Sequence, residues 1–133
     1  MLIEYQQEST LALPEALTLY RASGISRPTT DEPRMAAMLQ QANLLVTARA
    51  NGQLIGLARC LTDYSWVTYI ADLLVDQRVQ QQGIGRQLLA EVRRLVGPQS
   101  QYYLHSAPTA MDYYPKVGFT LCQNAFVIAR ESW

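Results

Sequence analysis

Apolar positions along the chain follow two periods. "MLIEYQ" alternates and predicts a short first strand. From Pro14 to Arg21 the spacing becomes helical: Leu13, Leu17 and Tyr20 share a face, and Gly24 stands where a helix can end. The polar, proline-containing stretch "ISRPTTDEPR" predicts a loop. A second helix follows, capped by Thr30 or Asp31, with Pro33 in its first turn and Met35, Met38, Leu39 and Ala42 inward. In "LLVTARANGQLIGLARCL" two β-rich runs flank Asn51-Gly52, a dipeptide that takes the positive φ angles of a type I′ turn, so a hairpin is expected. "WVTYIADLLV" is apolar almost throughout, the pattern of a central strand covered on both faces. Ile84, Leu88, Val92 and Leu95 then recur at helical spacing, with Arg86, Glu91 and Arg94 facing elsewhere and Gly97-Pro98 as the stop. "QYYLHS" reads as a strand, "PTAMDYYPKVG" as a short helix ending at Gly118, and "FTLC" with "AFVIAR" as a terminal pair of strands. The order β-α-α-β-β-β-α-β-α-β-β predicts a mixed sheet flanked by helices, an α/β or α+β fold class.

Composition narrows the partners. A chain of 133 residues is expected to form one domain over 1–133. Eleven acidic and eleven basic residues give zero net charge, so no nucleic-acid partner is expected, since that would call for a basic face. Zero net charge also leaves little repulsion between copies and is compatible with self-association. Cys60 and Cys122 each sit in an apolar, strand-like run and read as buried, reduced thiols. With His105 the only histidine and no Cys-x-x-Cys, no metal site is expected. The N-terminus lacks a signal-peptide pattern, and no apolar run approaches the roughly 20 residues that span a bilayer. The expectation is a soluble, cytoplasmic protein without membrane contact.

One stretch is not explained by folding alone. "QQQGIGR", Gln80 to Arg86, lies between the predicted central strand and the amphipathic helix. Strand, Gly-x-Gly, helix is an arrangement that binds phosphate. The first amides of a helix have no internal partner, the helix dipole makes that end positive, and missing Cβ atoms admit an anion. A flexible loop before a helix is the plainer account. A dinucleotide fold would need a third glycine where Leu88 stands, and a Walker loop would need Gly-Lys-Ser/Thr, so neither NAD nor ATP is favoured.

Two segments together resemble one family. Gln80-x-x-Gly83-x-Gly85 is similar to the Gln/Arg-x-x-Gly-x-Gly/Ala loop of the GNAT superfamily of acetyl-CoA-dependent N-acetyltransferases. "AMDYYPKVGF", Ala110 to Phe119, resembles that superfamily's Ala-x-x-Phe-Tyr-x-x-x-Gly-Phe segment, with Tyr113 at the Phe position and Tyr114, Gly118 and Phe119 matching directly. The resemblance covers nearly the whole chain and implies the GNAT fold with acetyl-CoA as co-substrate. It implies that the loop of Gln80, Gln81, Gly83, Ile84, Gly85 and Arg86 holds the pyrophosphate of coenzyme A, chiefly through backbone amides. It also implies that the preceding strand splays from its neighbour at a bulge, so that Leu73, Leu74 and Val75 offer backbone groups to pantetheine and the thioester. The chain departs from many relatives in carrying Ala107 where they have an asparagine that contacts the cofactor arm. A family habit of pairing adds the expectation of a homodimer.

Acetyl transfer to an amine sets chemical requirements. An alkylamine with a pKa near 10.4 is mostly protonated at neutral pH, so a base helps. The tetrahedral intermediate needs donors for its oxyanion. The departing thiolate needs a proton, and Tyr114 is the acid matched by the resemblance. Asp72, a carboxylate among apolar strand residues, is the candidate base, and a structural carboxylate is the equal alternative. His105, and Asp31 with Glu32 as attractors for a cationic amine, are further candidates with plain structural readings. The expected function is transfer of acetyl from acetyl-CoA directly to a primary amine, with a small molecule favoured as acceptor. The alternatives are a protein or peptide N-acetyltransferase and a non-catalytic CoA-binding or partner-binding module on the same fold.

Overall fold

The computed structural model describes all 133 residues. Strand β1 (Ile3–Gln7) leads into helices α1 (Leu13–Ser23) and α2 (Glu32–Gln41). Strands β2 (Leu44–Ala50), β3 (Gln53–Thr62) and β4 (Val67–Val75) follow, then α3 (Ile84–Val96), β5 (Gln101–Tyr103) and α4 (Tyr113–Lys116). The five strands lie side by side in chain order, antiparallel from β1 to β4, with β5 parallel to β4.

Local chemistry explains the boundaries. Pro14 opens α1, and Gly24 closes it at φ 79. Asp31, one of the two expected caps, holds the start of α2 by accepting from the Arg34 amide at 3.2 Å. Asn51 and Gly52 take φ of 50 and 78, the double positive pair that a type I′ hairpin needs.

Helices cover both faces of the sheet. Ile84, Leu88, Leu89, Val92 and Val96 of α3 pack on Val46, Ala48, Ala58 and Cys60. On the opposite face Leu17, Tyr20, Met35 and Leu39 pack on Leu45, Leu57 and Leu74. Neighbours such as Leu45 and Val46 point to opposite faces, and both are buried, which is why these strands read as unbroken apolar runs. Each such side chain contributes about 1.5–3 kcal/mol on burial. Gly56 lets α3 approach closely: a Cβ there would stand 3.1 Å from Leu88 Cδ1 and 3.2 Å from Ile84 Cγ2. The start of α3 is thereby seated against the middle of the sheet.

A bulge in β4 decides where its side chains go. Arg59 pairs with Asp72 and Cys60 with Ile70, leaving Ala71 as the extra residue. Ile70 packs toward α3, whereas Leu74 packs toward α1, one residue out of step with simple alternation. Asp72 is carried with Leu74 to the α1 face.

The end of the chain differs from the sequence expectation. β5 is three residues long, not six. "FTLC" and "AFVIAR" form no strands; past α4, Val117 and Phe119 pack on the core. Cys60 is buried as expected, and burial pushes its thiol up to about 12. Cys122 is exposed, because the strand expected to bury it does not form.

Candidate functional site

The loop after β4 is organised from both ends. Asp76 accepts from the Arg78 amide at 2.9 Å and pairs with its guanidinium at 2.6 Å, which, through that hydrogen bond first, holds its carboxyl below the usual range. Gln80 then turns back, its side-chain amide donating to the Val75 carbonyl at 2.9 Å. The first glutamine of the run therefore closes the loop onto the end of the strand.

Beyond it, Gln81 (φ 65) and Gly83 (φ 83) both lie in the left-handed region, with Gly83 as the N-cap of α3. Such turns aim successive amides at a common point. The amides of Gln81 through Arg86 make no hydrogen bond within the protein, and the first helical bond runs from the Gln87 amide to the Gly83 carbonyl at 3.0 Å. Six donors are thus free at the positive end of a 13-residue helix. Ile84 anchors it, buried among Gly56, Leu88 and the sheet. A Cβ at Gly85 would stand 3.1 Å from the Tyr113 hydroxyl, so the second glycine admits α4 as well as an anion.

α4 brings two tyrosines to this point. Tyr113 and Tyr114 meet edge to face at 5.2 Å, and Tyr114 meets Phe119 likewise at 5.6 Å. The Tyr114 carbonyl accepts from the amides of Val117 and Phe119, both at 3.1 Å, which fixes its backbone. Burial, with Tyr113 next to it, holds the Tyr114 phenol above its usual pKa of 10.0, so it is a proton donor at neutral pH.

β4 and β5 part beside the loop. Their pairing stops at Tyr69 and Tyr103. From the bulge onward, the β4 edge facing away from β3 has no strand partner. On that edge the Ala71 carbonyl accepts from Arg27 at 3.2 Å and the Val75 carbonyl from Gln80, while Leu73 lies between them. The strands therefore part into a wedge, at whose mouth Leu73, Gly85 and Tyr113 of α4 come together.

Asp72 sits deep beside the wedge, 1% exposed. Its Oδ2 accepts from the Tyr20 hydroxyl and from Arg59 Nε, each at 2.6 Å, and its Oδ1 from Arg27 Nε at 2.7 Å. Burial alone would raise its pKa, but the Arg59 guanidinium, Tyr20 and Arg27 outweigh it and leave the carboxyl below 3.8. Burial and the adjacent carboxylate push the Tyr20 phenol up.

A model of the GNAT acetyltransferase domain matches residues 17–129. The chain belongs to the GNAT acetyltransferase family. Over 98 residues it is 31% identical to GCN5-related N-acetyltransferase 3, chloroplastic, of Arabidopsis thaliana; the match takes in 74% of the chain but 38% of that relative. Its fold is that of a GNAT-family acetyltransferase from Streptococcus pneumoniae, with a TM-score of 0.75 at 23% identity over 98% of this chain and 100% of the other. An aminoglycoside N-acetyltransferase solved with CoA superposes with a TM-score of 0.73 at 17% identity, over 98% and 95% of the two chains.

Of the residues expected from sequence, the loop Gln80 to Arg86 meets Leu73 and, through Tyr113, α4 beside the parted strands, with Tyr114 next to Tyr113. Leu74 pairs with Leu57 of β3 and the Val75 carbonyl is taken by Gln80, so of the three strand residues only Leu73 keeps its backbone free there. Asp72 is adjacent but locked in its ion pairs. His105 is exposed past the end of β5, without a hydrogen bond. Asp31 caps α2, and Glu32 is exposed beside it. Sequence reasoning passed over Arg93 and Lys116. With Arg86 they line a pocket of about 410 Å³ between α3 and α4, and none of the three has an acidic partner. The place of Arg93 opposite Lys116 follows from the packing of α4 beside α3.

Proposed function

We propose that this GNAT protein transfers the acetyl group of acetyl-CoA directly to a primary amine, with a small molecule as acceptor. The observation that carries the reading is the set of free amides from Gln81 to Arg86, opening toward the parted end of β4 with Tyr114 one ring away. These amides suit the pyrophosphate. Arg86, Arg93 and Lys116 supply the positive charge that three glutamines in the loop do not. The Leu73 backbone, free on the wedge side, suits the pantetheine amides and the thioester carbonyl.

Acetyl-CoA supplies an activated acyl group and a thiolate leaving group. As the C–N bond forms and the C–S bond breaks, the Tyr114 hydroxyl gives its proton to the sulfur. Asp72 is a poor base: its lone pairs are engaged and its conjugate acid is stronger than an ordinary carboxylic acid. Its role in this reading is to hold Arg27, and with it the α1–α2 loop, along the wedge. The acceptor's proton then leaves to water, and the Tyr114 phenolate regains a proton from solvent. A small amine is preferred because the chain carries no net charge and because an aminoglycoside acetyltransferase shares the fold.

The test is release of free thiol from acetyl-CoA across a panel of small amines, amino acids and peptides, run beside calorimetric binding of acetyl-CoA. Turnover with a small amine supports the reading. Binding without turnover on any amine would leave a CoA-binding module, and absence of binding would remove both.

A further inference from the structure

Asp72 is one carboxylate shared by two guanidinium groups. Arg27 Nη2 stands 2.6 Å from its Oδ1 and Arg59 Nε 2.6 Å from its Oδ2, and neither arginine has a second acidic partner. The Tyr20 hydroxyl that completes the shell brings no charge. The cluster therefore holds one positive charge in excess. Such a charge is costly to bury without a counterion. The cluster meets water at one point: the side chains of Asp72 and Arg59 are 0% and 11% exposed, that of Arg27 30%. The acidic residues of the α1–α2 loop do not neutralise it. Asp31 is turned to the Arg34 amide, and Glu32 pairs with no arginine.

Arg27 is held rigidly. Its Nε donates to Asp72 Oδ1 at 2.7 Å, its Nη2 to the Ala71 carbonyl at 3.2 Å and its Nη1 to the Ser26 carbonyl at 2.6 Å. A guanidinium has five N–H groups, so a second Nη1 hydrogen is left for a ligand. The Ala71 carbonyl places Arg27 on the unpaired edge of β4, and Leu73 follows about 6–7 Å along that edge. In the acetyl-transfer reading the thioester lies at the Leu73 backbone. An acceptor nitrogen brought to it then has Arg27 within the span of a few covalent bonds.

We propose that the acceptor is a primary amine bearing a carboxylate, such as an amino acid, and that Arg27 selects it by receiving that carboxylate. One unit of excess charge matches a carboxylate. A phosphate monoester brings nearly two, and a polyamine would add to the excess. Because Arg27 is already fixed by Asp72, little side-chain freedom is lost when the carboxylate binds. The inference rests on the acetyl-transfer reading for the position of the amine and narrows its acceptor.

The test compares amino acids with their amides and with the amines left when the carboxylate is removed, for the wild type, Arg27→Gln and Arg27→Lys. Thiol release from acetyl-CoA gives kcat and KM, and calorimetry reads acceptor binding directly. The wild type should favour the amino acid about 10- to 100-fold in kcat/KM, the range of one hydrogen bond between charged groups, and chiefly through KM. Arg27→Gln should erase that preference with acetyl-CoA affinity unchanged, and Arg27→Lys, which keeps the charge, should retain part of it. Both variants leave Arg59 and Tyr20 on Asp72, so the fold should hold. An equal loss in Arg27→Gln for acceptors with and without a carboxylate would make Arg27 a loop anchor only. That result, or a wild type that prefers carboxylate-free amines, overturns the proposal and leaves acetyl transfer standing. Amino-acid binding that Arg27→Gln weakens, without thiol release, would support the anchor and remove acetyl transfer. Neither binding nor release would overturn both.

Discussion

The Tyr20 hydroxyl of α1 donates to Asp72 Oδ2 of β4 at 2.6 Å, through a position that only the Ala71 bulge makes possible. Without the extra residue, Asp72 would face α3 and a purely apolar core. With it, the carboxylate meets Tyr20, Arg59 and Arg27 at once, and three separate elements are tied to the strand that borders the wedge.

Asp72→Asn keeps the shape and removes the charge, leaving two guanidinium groups facing an amide. Removing one partner of a buried ion pair costs about 3–5 kcal/mol, and the partial exposure of Arg27 puts the expectation at the lower end. Urea unfolding measures it. Full stability combined with a collapse in kcat would return Asp72 to the role of base.

The same network sets an acid limit. Asp72 has a folded pKa below its ordinary 3.8, so its pairing contributes stability fully above that value and loses it as pH falls through the depressed one. Unfolding free energy should therefore drop on acidification below the usual carboxylate range. In Asp72→Asn the drop should be smaller, with a remainder from Glu8 and Asp76, whose carboxyls are also held low. Equal slopes in the two proteins would show that Asp72 is not held low.

Gly83 separates shape from charge in the loop. A Cβ there meets nothing within 4 Å, so Gly83→Ala pays chiefly for φ 83, about 1–2 kcal/mol of stability. Gly83→Asp adds a carboxylate where the amides converge. Its acetyl-CoA affinity should fall at least about tenfold beyond the alanine variant, or about 1.4 kcal/mol. Calorimetry giving both variants the same Kd would detach the pyrophosphate from this loop.

Arg93→Gln with Lys116→Gln should weaken acetyl-CoA binding severalfold and flatten its dependence on salt, because exposed charges act through screened attraction. The fold should be unaffected, as neither side chain has an ion-pair partner to lose. A salt dependence identical to wild type would place the phosphates away from this pocket.

Tyr114→Phe keeps the edge-to-face contacts with Tyr113 and Phe119 and removes one proton. kcat should fall by roughly 10²–10⁴ with acetyl-CoA affinity retained. Burial raises the phenol pKa, so the wild-type rate should hold through pH 10.0 and decline above it as the phenol ionises, a limb absent from the variant. A variant with wild-type kcat would leave Tyr114 as packing alone.

Much of this was legible before the structure. Asn51-Gly52 reads as a hairpin because the turn needs two positive φ angles, and these residues adopt them at little cost. Gly83 and Gly85 mark the start of α3 as a place of close approach for the same kind of reason. The tail was misread: "AFVIAR" has the composition of a buried strand, but composition does not ensure a partner edge, and no pairing forms there.

Local sequence determined the elements, their order and the free amides of the glycine loop, because helix starts, turns and apolar periodicity depend on residues within a few positions of one another. The tertiary structure alone decided the partners across the chain. One added residue at Ala71 put Asp72 at the centre of an ion-pair network, since a single bulge reverses which face every later side chain meets. Arg86, Arg93 and Lys116 share a pocket only because α4 packs beside α3, a juxtaposition set by the shape of the core and by the missing Cβ of Gly85, which no local pattern encodes.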